Sequence, residues 1–230
     1  MSNLGFRIIE DIKRPSVNLI SSFKKYSVAN IADCMNRCFC MHSSIKMVNE
    51  VKGLKLCGSA ITVKTRPVDN LMVHKALEIA KPGDVIIVNA LGDINSAIIG
   101  EIMVRTALKR GLAGFIIDGC IRDSDEIRNL EFPVFSKGVS PKGPYKDGPG
   151  EINYSICCGG IIVNPGDIVV GDRDGIVLIP SKSAVTILKE VELKAREEEI
   201  KIKKIENNEK LDKSWIDKKL ISKGCKFIKS

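Results

Sequence analysis

Aromatic residues, histidines and long apolar runs are scarce in this chain. Aromatic residues make up 5% of its 230 positions, and two histidines are present. No apolar run approaches the roughly 18 residues that a membrane-spanning helix needs, and the N-terminus lacks the charged-then-apolar pattern of a secretory signal. The sequence therefore predicts no membrane association and a cytoplasmic location.

An excess of positive charge is also nearly absent outside the C-terminal part of the chain. The formal net charge is +8, and residues 182–230 hold 14 Lys and Arg against 9 Asp and Glu. Glu and Lys interleave in this segment, which is typical of a solvated helix with side-chain pairs four residues apart. Nucleic-acid binding needs a basic surface that follows the phosphates, and this distribution argues against it.

Cysteine is abundant, but its spacing does not match a common metal motif. Eight cysteines without a secretory signal predict reduced thiols. A group of four residues could form a zinc site: Cys34, Cys38, Cys40 and His42. Because no C-x-x-C pair is present and Cys34 and Cys38 fall on a predicted helix, buried and inert thiols are the favoured interpretation. A structural or redox role for this cluster is the alternative.

The middle of the chain predicts a strand, a helix and a second strand. Residues 85–90 and 112–118 are short apolar runs rich in β-branched residues, which indicates buried strands. Residues 94–110 have helical spacing and end before Gly111, which is typical of a helix C-terminus. Such units normally pair their strands in parallel and place polar residues past the carboxyl ends of the strands. With 44% hydrophobic residues for a full core, the predicted fold class is α/β.

Further strands and helices are predicted on both sides of this unit. Residues 59–66 alternate with the period of a half-buried strand, and tight turns between the strands near residue 170 predict antiparallel pairing. Residues 141–150 hold three Pro and three Gly and predict an ordered loop or a lid. Helices are predicted at 17–26, 27–37, 70–80, 125–130, 181–210 and 214–223, and strands at 133–139, 161–163, 168–170, 176–179 and 226–228.

The chain is predicted to form an α/β catalytic core over residues 1–180 and a C-terminal helical arm over residues 181–230. The arm is highly charged, so we expect it to pack on something other than its own core. A neighbouring subunit is the expected partner. Packing of the arm against its own core is the alternative.

The candidate site centres on Arg122 and Asp123, which follow the second strand of the central unit. The guanidinium of Arg122 can bind a carboxylate or an enolate oxygen with two hydrogen bonds, and Asp123 offers a hard oxygen ligand for a divalent ion. A structural pair that closes the loop is the alternative. His74 could be catalytic, but one histidine on an amphipathic helix is more often a packed or surface residue.

The start of the central helix offers a second candidate group. If the helix begins near Gly100, the amides of Glu101, Ile102 and Met103 are unpaired and form an anion site suited to a carboxylate. If Asn95 or Ser96 caps the helix instead, these amides are used within it.

Seven short motifs give the chain a resemblance to a known family. From residue 27 to residue 180 it resembles the class II pyruvate aldolases that act on 4-hydroxy-4-methyl-2-oxoglutarate and 4-carboxy-4-hydroxy-2-oxoadipate, together with the related regulators of ribonuclease activity. The motifs are S-V-A-N-I-A-D (27–33), D-N-L-M-V-H-K-A (69–76), K-P-G-D-V-I-I-V (81–88), G-E-I-M (100–103), D-G-C-I-R-D (118–123), F-P-V-F (132–135) and G-D-x-D-G (171–175).

The resemblance implies roles for the substrate-binding residues. The backbone amides of Gly100, Glu101, Ile102 and Met103 would bind the carboxylate of the pyruvyl group. Arg122 would hold the substrate and stabilise the enolate.

The resemblance also implies a metal site and a shared active site. Asp123 would anchor Mg²⁺ or Mn²⁺, and Glu101 would support the ion through water, although Asp is frequent at the position of Glu101. Aldolases of this family extend into a helical arm whose acidic residue reaches a neighbouring active site. Glu198 would be that catalytic residue here, with Glu197 and Glu199 as alternatives.

The fold implied is a compact layered α/β sandwich with a central mixed sheet, similar to the swivelling phosphohistidine domain, assembled as a homotrimer or homohexamer. The activity implied is that of a metal-dependent lyase that cleaves a small 4-hydroxy-2-oxo acid to pyruvate and a second oxo acid, with oxaloacetate decarboxylase side activity. A non-catalytic, protein-binding regulator of ribonuclease activity is the alternative function.

Overall fold

The computed structural model describes residues 3–228, and ten strands of this part form one mixed sheet. Two more strands form a separate antiparallel hairpin. The strands are β1 (Arg7–Ile8), β2 (Lys46–Met47), β3 (Leu56–Thr65), β4 (Asp84–Asn89), β5 (Ala97–Ile99), β6 (Gly114–Ile121), β7 (Val134–Val139), β8 (Gly150–Ile152), β9 (Ile156–Cys158), β10 (Ile161–Val163), β11 (Ile168–Asp172) and β12 (Gly175–Ile179).

Helices cover the sheet and form the C-terminal part of the chain. They are α1 (Val17–Phe23), α2 (Val28–Asp33), α3 (Leu71–Ile79), α4 (Glu101–Lys109), α5 (Ser124–Arg128), α6 (Ala184–Glu206) and α7 (Ser214–Ser222), with a short 3₁₀ turn at Ser181–Ser183. None of the helices in the described part of the chain has the length and apolar composition needed to cross a bilayer. The α/β fold class predicted from the sequence is confirmed.

Four parallel strands form the centre of the sheet, in the order β3, β4, β6 and β7. The predicted parallel pairing of the two central strands is confirmed, as is the antiparallel pairing of β11 with β12. The strand over residues 59–66 was predicted to be half-buried, but within β3 only Lys64 is exposed. Helices cover one face of this region and β9 to β12 cover the other, so both faces of β3 lie in the interior.

Several predicted elements differ from the structure, and α1 and α6 are also shorter than predicted. The helix predicted from residue 94 begins at Glu101, because β5 first pairs with β6. The helix predicted at 27–37 is capped by Ser27 but ends at Asp33, and Arg37 then adopts a left-handed φ of 62° that no continuing helix allows. The strand predicted at 226–228 does not form, since these exposed residues pair with no strand of the described chain.

The chain divides into two compact units, one ending at Val191 and the other beginning at Glu192. The sequence analysis placed the boundary at residue 180. The first turns of α6 belong to the core, because Ala184, Ile187 and Val191 are buried in an apolar cluster with β11 and β12. The remainder of α6 and helix α7 form the second unit.

Candidate functional site

Helix α4 begins directly after β5, and Gly100 is its N-cap residue. Because β5 intervenes, Asn95 and Ser96 do not cap this helix. The predicted row of three unpaired amides is nevertheless incomplete. The N–H of Glu101 donates to Asp123 Oδ2 at 3.0 Å, and the N–H of Met103 donates to the Gly100 carbonyl at 3.1 Å.

The N–H of Ile102 has no hydrogen-bond partner among the described residues. The positive end of α4 thus holds the carboxylate of Asp123 and keeps one first-turn N–H for another ligand. This arrangement agrees with the general preference of helix N-termini for anions.

Arg122 and Asp123 leave β6 in a conformation that turns both side chains towards α4. Asp123 adopts a left-handed backbone conformation with φ 57° and ψ 43°. The Arg122 N–H donates to the Ile99 carbonyl at 3.0 Å, which ties the turn to β5. Backbone strain of this kind is retained where surrounding contacts over-determine it, often at functional sites.

The ion pair between these two side chains is loose. Arg122 Nε lies 3.7 Å from Asp123 Oδ2, and the side chains are 44% and 39% exposed. The terminal guanidinium nitrogens of Arg122 have no hydrogen-bond partner within residues 3–228. A pair that only closed the loop would be expected to use those nitrogens, so the geometry leaves the planar fork of Arg122 available to a ligand.

Gly100 permits this close approach because it has no side chain. A Cβ atom at this position would overlap Asp123 Oδ2 and would lie 3.0 Å from Arg122 Cγ. Gly143, in the Pro- and Gly-rich loop, has a similar role, since its Cβ would lie 2.9 Å from Arg122 Nη1. Both glycines therefore border the Arg122 side chain, and Gly100 also borders Asp123.

These residues border a cavity of about 230 Å³. Helix α3, the turn between β5 and α4, the end of β6 and the loop after β7 all contribute to its wall. The lining residues are Asn70, His74, Ile98, Ile99, Gly100, Ile102, Met103, Arg122, Asp123, Gly143, Pro144 and Lys146.

The predicted site residues are only partly brought together. Glu101 contributes its backbone N–H, whereas its carboxylate accepts a hydrogen bond from Arg105 Nε at 2.6 Å one helical turn away. Glu198 lies in the second unit, and its catalytic role stays a prediction. The remaining predicted residues all line the cavity.

The donor set around Asp123 fits a hard divalent ion that keeps most of its ligands as water. No group of three or more His, Cys, Asp or Glu residues in the described chain is arranged to hold a metal ion. Mg²⁺ commonly binds through one or two carboxylates and retains several waters. Asp123, with its carboxylate beside the gap left by Gly100, meets that requirement.

A structural zinc site needs four protein ligands. Cys34, Cys38, Cys40 and His42 do not come together as such a set, since no three potential ligands in the described chain are grouped to hold a metal ion. Burial raises the pKa of the Cys40 thiol, and the neighbouring Cys38 raises it further. A raised pKa disfavours the thiolate at Cys40, the form that binds metals or attacks a substrate. The predicted burial is wrong, because Cys38 and Cys40 are exposed and Cys34 is only partly buried.

The start of helix α3 supplies two cavity residues, of which Asn70 was not predicted from the sequence. Asn70 caps the helix, and His74 lies one turn later on the same face. Burial lowers the pKa of His74, and the nearby positive charge of Lys146 lowers it further. His74 is exposed, which agrees with its prediction as a surface residue, and it also lines the cavity. The four-residue spacing of Asn70 and His74 in D-N-L-M-V-H-K-A was the available signal.

The loop after β7 is held against the start of α3 by one buried carboxylate. Asp69 Oδ2 accepts hydrogen bonds from the N–H groups of Asp147 at 2.7 Å and Gly148 at 3.0 Å, and Asp69 Oδ1 accepts one from Leu71 at 3.0 Å. Burial raises the pKa of Asp69, but these N–H groups and Arg66 lower it more, so the net pKa lies below its usual value. The loop is ordered by these contacts, and it places Lys146 in the cavity wall.

Comparison with known proteins gives a family-level match over this region. The RraA-like family, described as Aldolase/RraA, matches residues 28–178. A Halalkalibacterium halodurans protein, provisionally named a 4-hydroxy-4-methyl-2-oxoglutarate aldolase, is 34% identical over 207 residues, covering 90% of this chain and 98% of that protein. A Thermus thermophilus protein named 4-hydroxy-4-methyl-2-oxoglutarate aldolase is 33% identical over 112 residues, which are 49% of this chain and 68% of that protein.

Solved structures give the same match at the level of the fold. The Streptomyces coelicolor protein RraAS2, described as an unusual member of the RNase ES inhibitor RraA family, aligns with a TM-score of 0.73 and 27% identity over 83% of this chain and 98% of its own. The RNA-processing inhibitor RraA from Thermus thermophilus aligns with a TM-score of 0.62 and 26% identity over 68% of this chain and 93% of its own.

Proposed function

This chain belongs to the RraA-like family of aldolases and RraA proteins, and we propose that it is a divalent-metal-dependent aldolase. The proposed reaction cleaves a 4-hydroxy-2-oxo acid, such as 4-hydroxy-4-methyl-2-oxoglutarate, to pyruvate and a second oxo acid. One observation carries the proposal. The guanidinium of Arg122, whose terminal nitrogens have no partner in the described chain, and the carboxylate of Asp123 lie beside the first turn of α4 in the wall of a cavity of about 230 Å³.

The carboxylate and oxo group of the pyruvyl half are the parts of the substrate that this arrangement suits. The free N–H of Ile102 and the positive end of α4 favour a carboxylate. The guanidinium of Arg122 can hold the neighbouring 2-oxo oxygen and stabilise the negative charge that develops there when the carbon–carbon bond breaks. Stabilisation that grows with this charge lowers the barrier, because it is stronger in the transition state than in the ground state.

Mg²⁺ or Mn²⁺ is the proposed cofactor, with Asp123 as its protein ligand and Glu101 acting through water. When bound, such an ion supplies Lewis-acid stabilisation of the enolate oxygen. The Glu101 carboxylate would have to leave Arg105 Nε, now 2.6 Å away, before it could face a hydrated ion. Asp123 is therefore the ligand on which the proposal depends.

Aldol cleavage also requires a group that takes the proton from the 4-hydroxyl. Asp84 is buried and is bound by Arg14, with Arg14 Nε 2.8 Å from Asp84 Oδ1, so it is not available. We propose Glu198 for this role, acting on the site of a neighbouring subunit in a trimer or hexamer. Asp123→Asn subunits mixed with subunits lacking residues 192–230, the whole second unit, should then regain part of the activity. If mixed oligomers form but regain no activity, the result would rule out an active site shared between subunits.

Oxaloacetate decarboxylation is a proposed side activity, because it passes through the same enolate of pyruvate. Loss of carbon dioxide leaves the negative charge on the oxygen next to Arg122, as aldol cleavage does. The substrates differ in the group attached beyond carbon 3. The same residues are therefore expected to serve both reactions at the pyruvyl half.

A regulator of RNA processing is the second candidate function, favoured by the similarity to the RNA-processing inhibitor RraA. Such a protein would act by binding a protein partner and would not need a metal ligand. Retention of Arg122, Asp123 and Gly100 around one cavity favours the enzyme.

A coupled assay of pyruvate release tests the proposal. Wild-type protein is incubated with a 4-hydroxy-2-oxo diacid or with oxaloacetate, with Mg²⁺ and after chelation, beside the Asp123→Asn variant. We expect Mg²⁺-dependent pyruvate release that the variant lacks. If neither substrate releases pyruvate, with Mg²⁺ or after chelation, the result would contradict the aldolase proposal and favour the regulator.

A further inference from the structure

The loop after β7 brings a second cationic side chain, Lys146, to the cavity wall. Lys146 is exposed, and it forms no ion pair with a carboxylate in the part of the chain that the structure describes. Among the described residues that line the cavity, Asp123 supplies the one carboxylate, and it already accepts a hydrogen bond from the Glu101 N–H at 3.0 Å. The positive charge of Lys146 therefore remains for a ligand.

Hydrogen bonds hold the backbone on both sides of Lys146. The Tyr145 carbonyl accepts a hydrogen bond from the Asn70 N–H at 3.0 Å. On the other side, the Asp147 N–H donates to Asp69 Oδ2 at 2.7 Å. An exposed lysine on an unsupported loop would need no explanation beyond the hydration of its ammonium group. Lys146 differs, because these bonds fix its backbone at the wall of the cavity.

The same loop connects Lys146 with the part of the cavity that Arg122 borders. A Cβ atom at Gly143 would lie 2.9 Å from Arg122 Nη1, and Lys146 follows Gly143 by three residues. Because a chain spans no more than about 3.6 Å per residue, the Cα atoms of Gly143 and Lys146 are at most about 11 Å apart. The charge of Lys146 also lowers the pKa of His74, another residue of the wall. Its ammonium group thus acts on the cavity that holds Arg122.

The proposed substrate has a second carboxylate that the pyruvyl site does not serve. The pyruvyl half occupies Arg122 and the Ile102 N–H, whereas 4-hydroxy-4-methyl-2-oxoglutarate carries a further carboxylate on carbon 4. Taking that carboxylate out of water without a partner would cost free energy. Of the described lining residues, Lys146 is the remaining one with a full positive charge at neutral pH, because His74 favours the neutral imidazole.

We propose that Lys146 is a specificity-determining residue whose ammonium group binds the second carboxylate of a 4-hydroxy-2-oxo diacid. This inference rests on the proposed aldolase function and adds the residue that selects diacids over monoacids. The second carboxylate takes no part in the bond changes and leaves unaltered with the second oxo acid. The contact therefore leaves the proton of the 4-hydroxyl to the base.

Two substrates and three variants test this role. The diacid is 4-hydroxy-4-methyl-2-oxoglutarate, and the monoacid is 4-hydroxy-4-methyl-2-oxopentanoate, in which a methyl group replaces the second carboxylate. Both release pyruvate, so one coupled assay gives kcat/KM for each. The variants are Lys146→Gln, Lys146→Arg and the matched control Lys142→Gln, which removes an exposed lysine of the same loop that does not line the cavity.

We expect Lys146→Gln to lower kcat/KM for the diacid by roughly tenfold, the size of one lost hydrogen bond to a charged group. The monoacid should be turned over as by the wild type. Lys146→Arg should keep most of the preference for the diacid, and Lys142→Gln should keep all of it. Added salt should reduce the preference more in the wild type than in Lys146→Gln, because salt screens the attraction between exposed charges.

Equal losses of kcat/KM for both substrates in Lys146→Gln would overturn the inference and assign Lys146 to support of the loop. Wild-type protein without a preference for the diacid, or a loss of preference in Lys142→Gln as large as in Lys146→Gln, would overturn it too. Wild-type protein that releases pyruvate from neither substrate would refute the proposed function and this inference with it. The two failures are distinct, because pyruvate is released in the first and not in the second.

Discussion

Replacement of Gly100 by alanine tests how closely the site depends on the meeting of α4 with Asp123. The added Cβ would overlap Asp123 Oδ2. Because non-bonded atoms are ordinarily separated by roughly 3.5 Å, Oδ2 must move by roughly 1 Å or rotate away. The hydrogen bond from the Glu101 N–H, now 3.0 Å long, would then exceed the usual limit and be lost.

We expect the substitution to lower kcat/KM more than it lowers the stability of the fold. Gly100 has φ −142° and ψ −171°, which alanine adopts without backbone strain. Asp123 is 39% exposed, so its side chain can turn into solvent. Misplacement of a catalytic group by about 1 Å costs on the order of a hundredfold in rate, which corresponds to about 2.7 kcal/mol of transition-state stabilisation.

The assay is Mg²⁺-dependent pyruvate release, with thermal unfolding measured on the same samples. Gly138→Ala is the matched control, since its Cβ would meet Cys120 Sγ at 3.1 Å and Gly138 does not line the cavity. We expect the control to keep near-normal kcat/KM. Gly100→Ala protein with wild-type kcat/KM would refute the reasoning that Asp123 must occupy its present position.

Three further predictions follow from the cavity wall. Asp123→Asn should abolish divalent-ion-dependent turnover while the unfolding temperature stays near that of the wild type, because the side chain is outside the core; full activity would contradict the metal role. Arg122→Lys keeps the charge but loses the planar fork, so kcat/KM should fall on the order of a hundredfold, and near-normal kinetics would leave a structural role. His74 has a pKa lowered by burial and by Lys146, so the folded state favours neutral imidazole. Its contribution to the free energy of unfolding should be present above pH 6.5 and should be lost as the pH falls through the lower folded-state pKa. Urea unfolding of the wild type and of His74→Gln, above pH 6.5 and below the folded-state pKa, measures this loss. If the free energy of unfolding falls equally in both proteins, the loss belongs to other groups.

Local patterns in the sequence determined the central unit and the position of Arg122 and Asp123. The strands predicted at residues 85–90 and 112–118 are short apolar runs, which are typical of strands buried on both faces of a parallel sheet. The N-cap at Ser27 was also readable, because a hydroxyl before a helical pattern satisfies a nearby backbone N–H. These features depend on neighbours a few residues away in the chain.

The tertiary structure decided what those residues meet. Helix α4 starts at Glu101 because β5 pairs with β6 first, and helical spacing from residue 94 could not reveal that pairing. Lys146 reaches the cavity beside Asn70 and His74 because hydrogen bonds tie the loop after β7 to the start of α3, among them the bond from Asp147 to Asp69 across 78 residues of sequence. The sequence alone thus determined which groups could do chemistry. Their convergence depended on hydrogen bonds between distant segments, which no local pattern encodes.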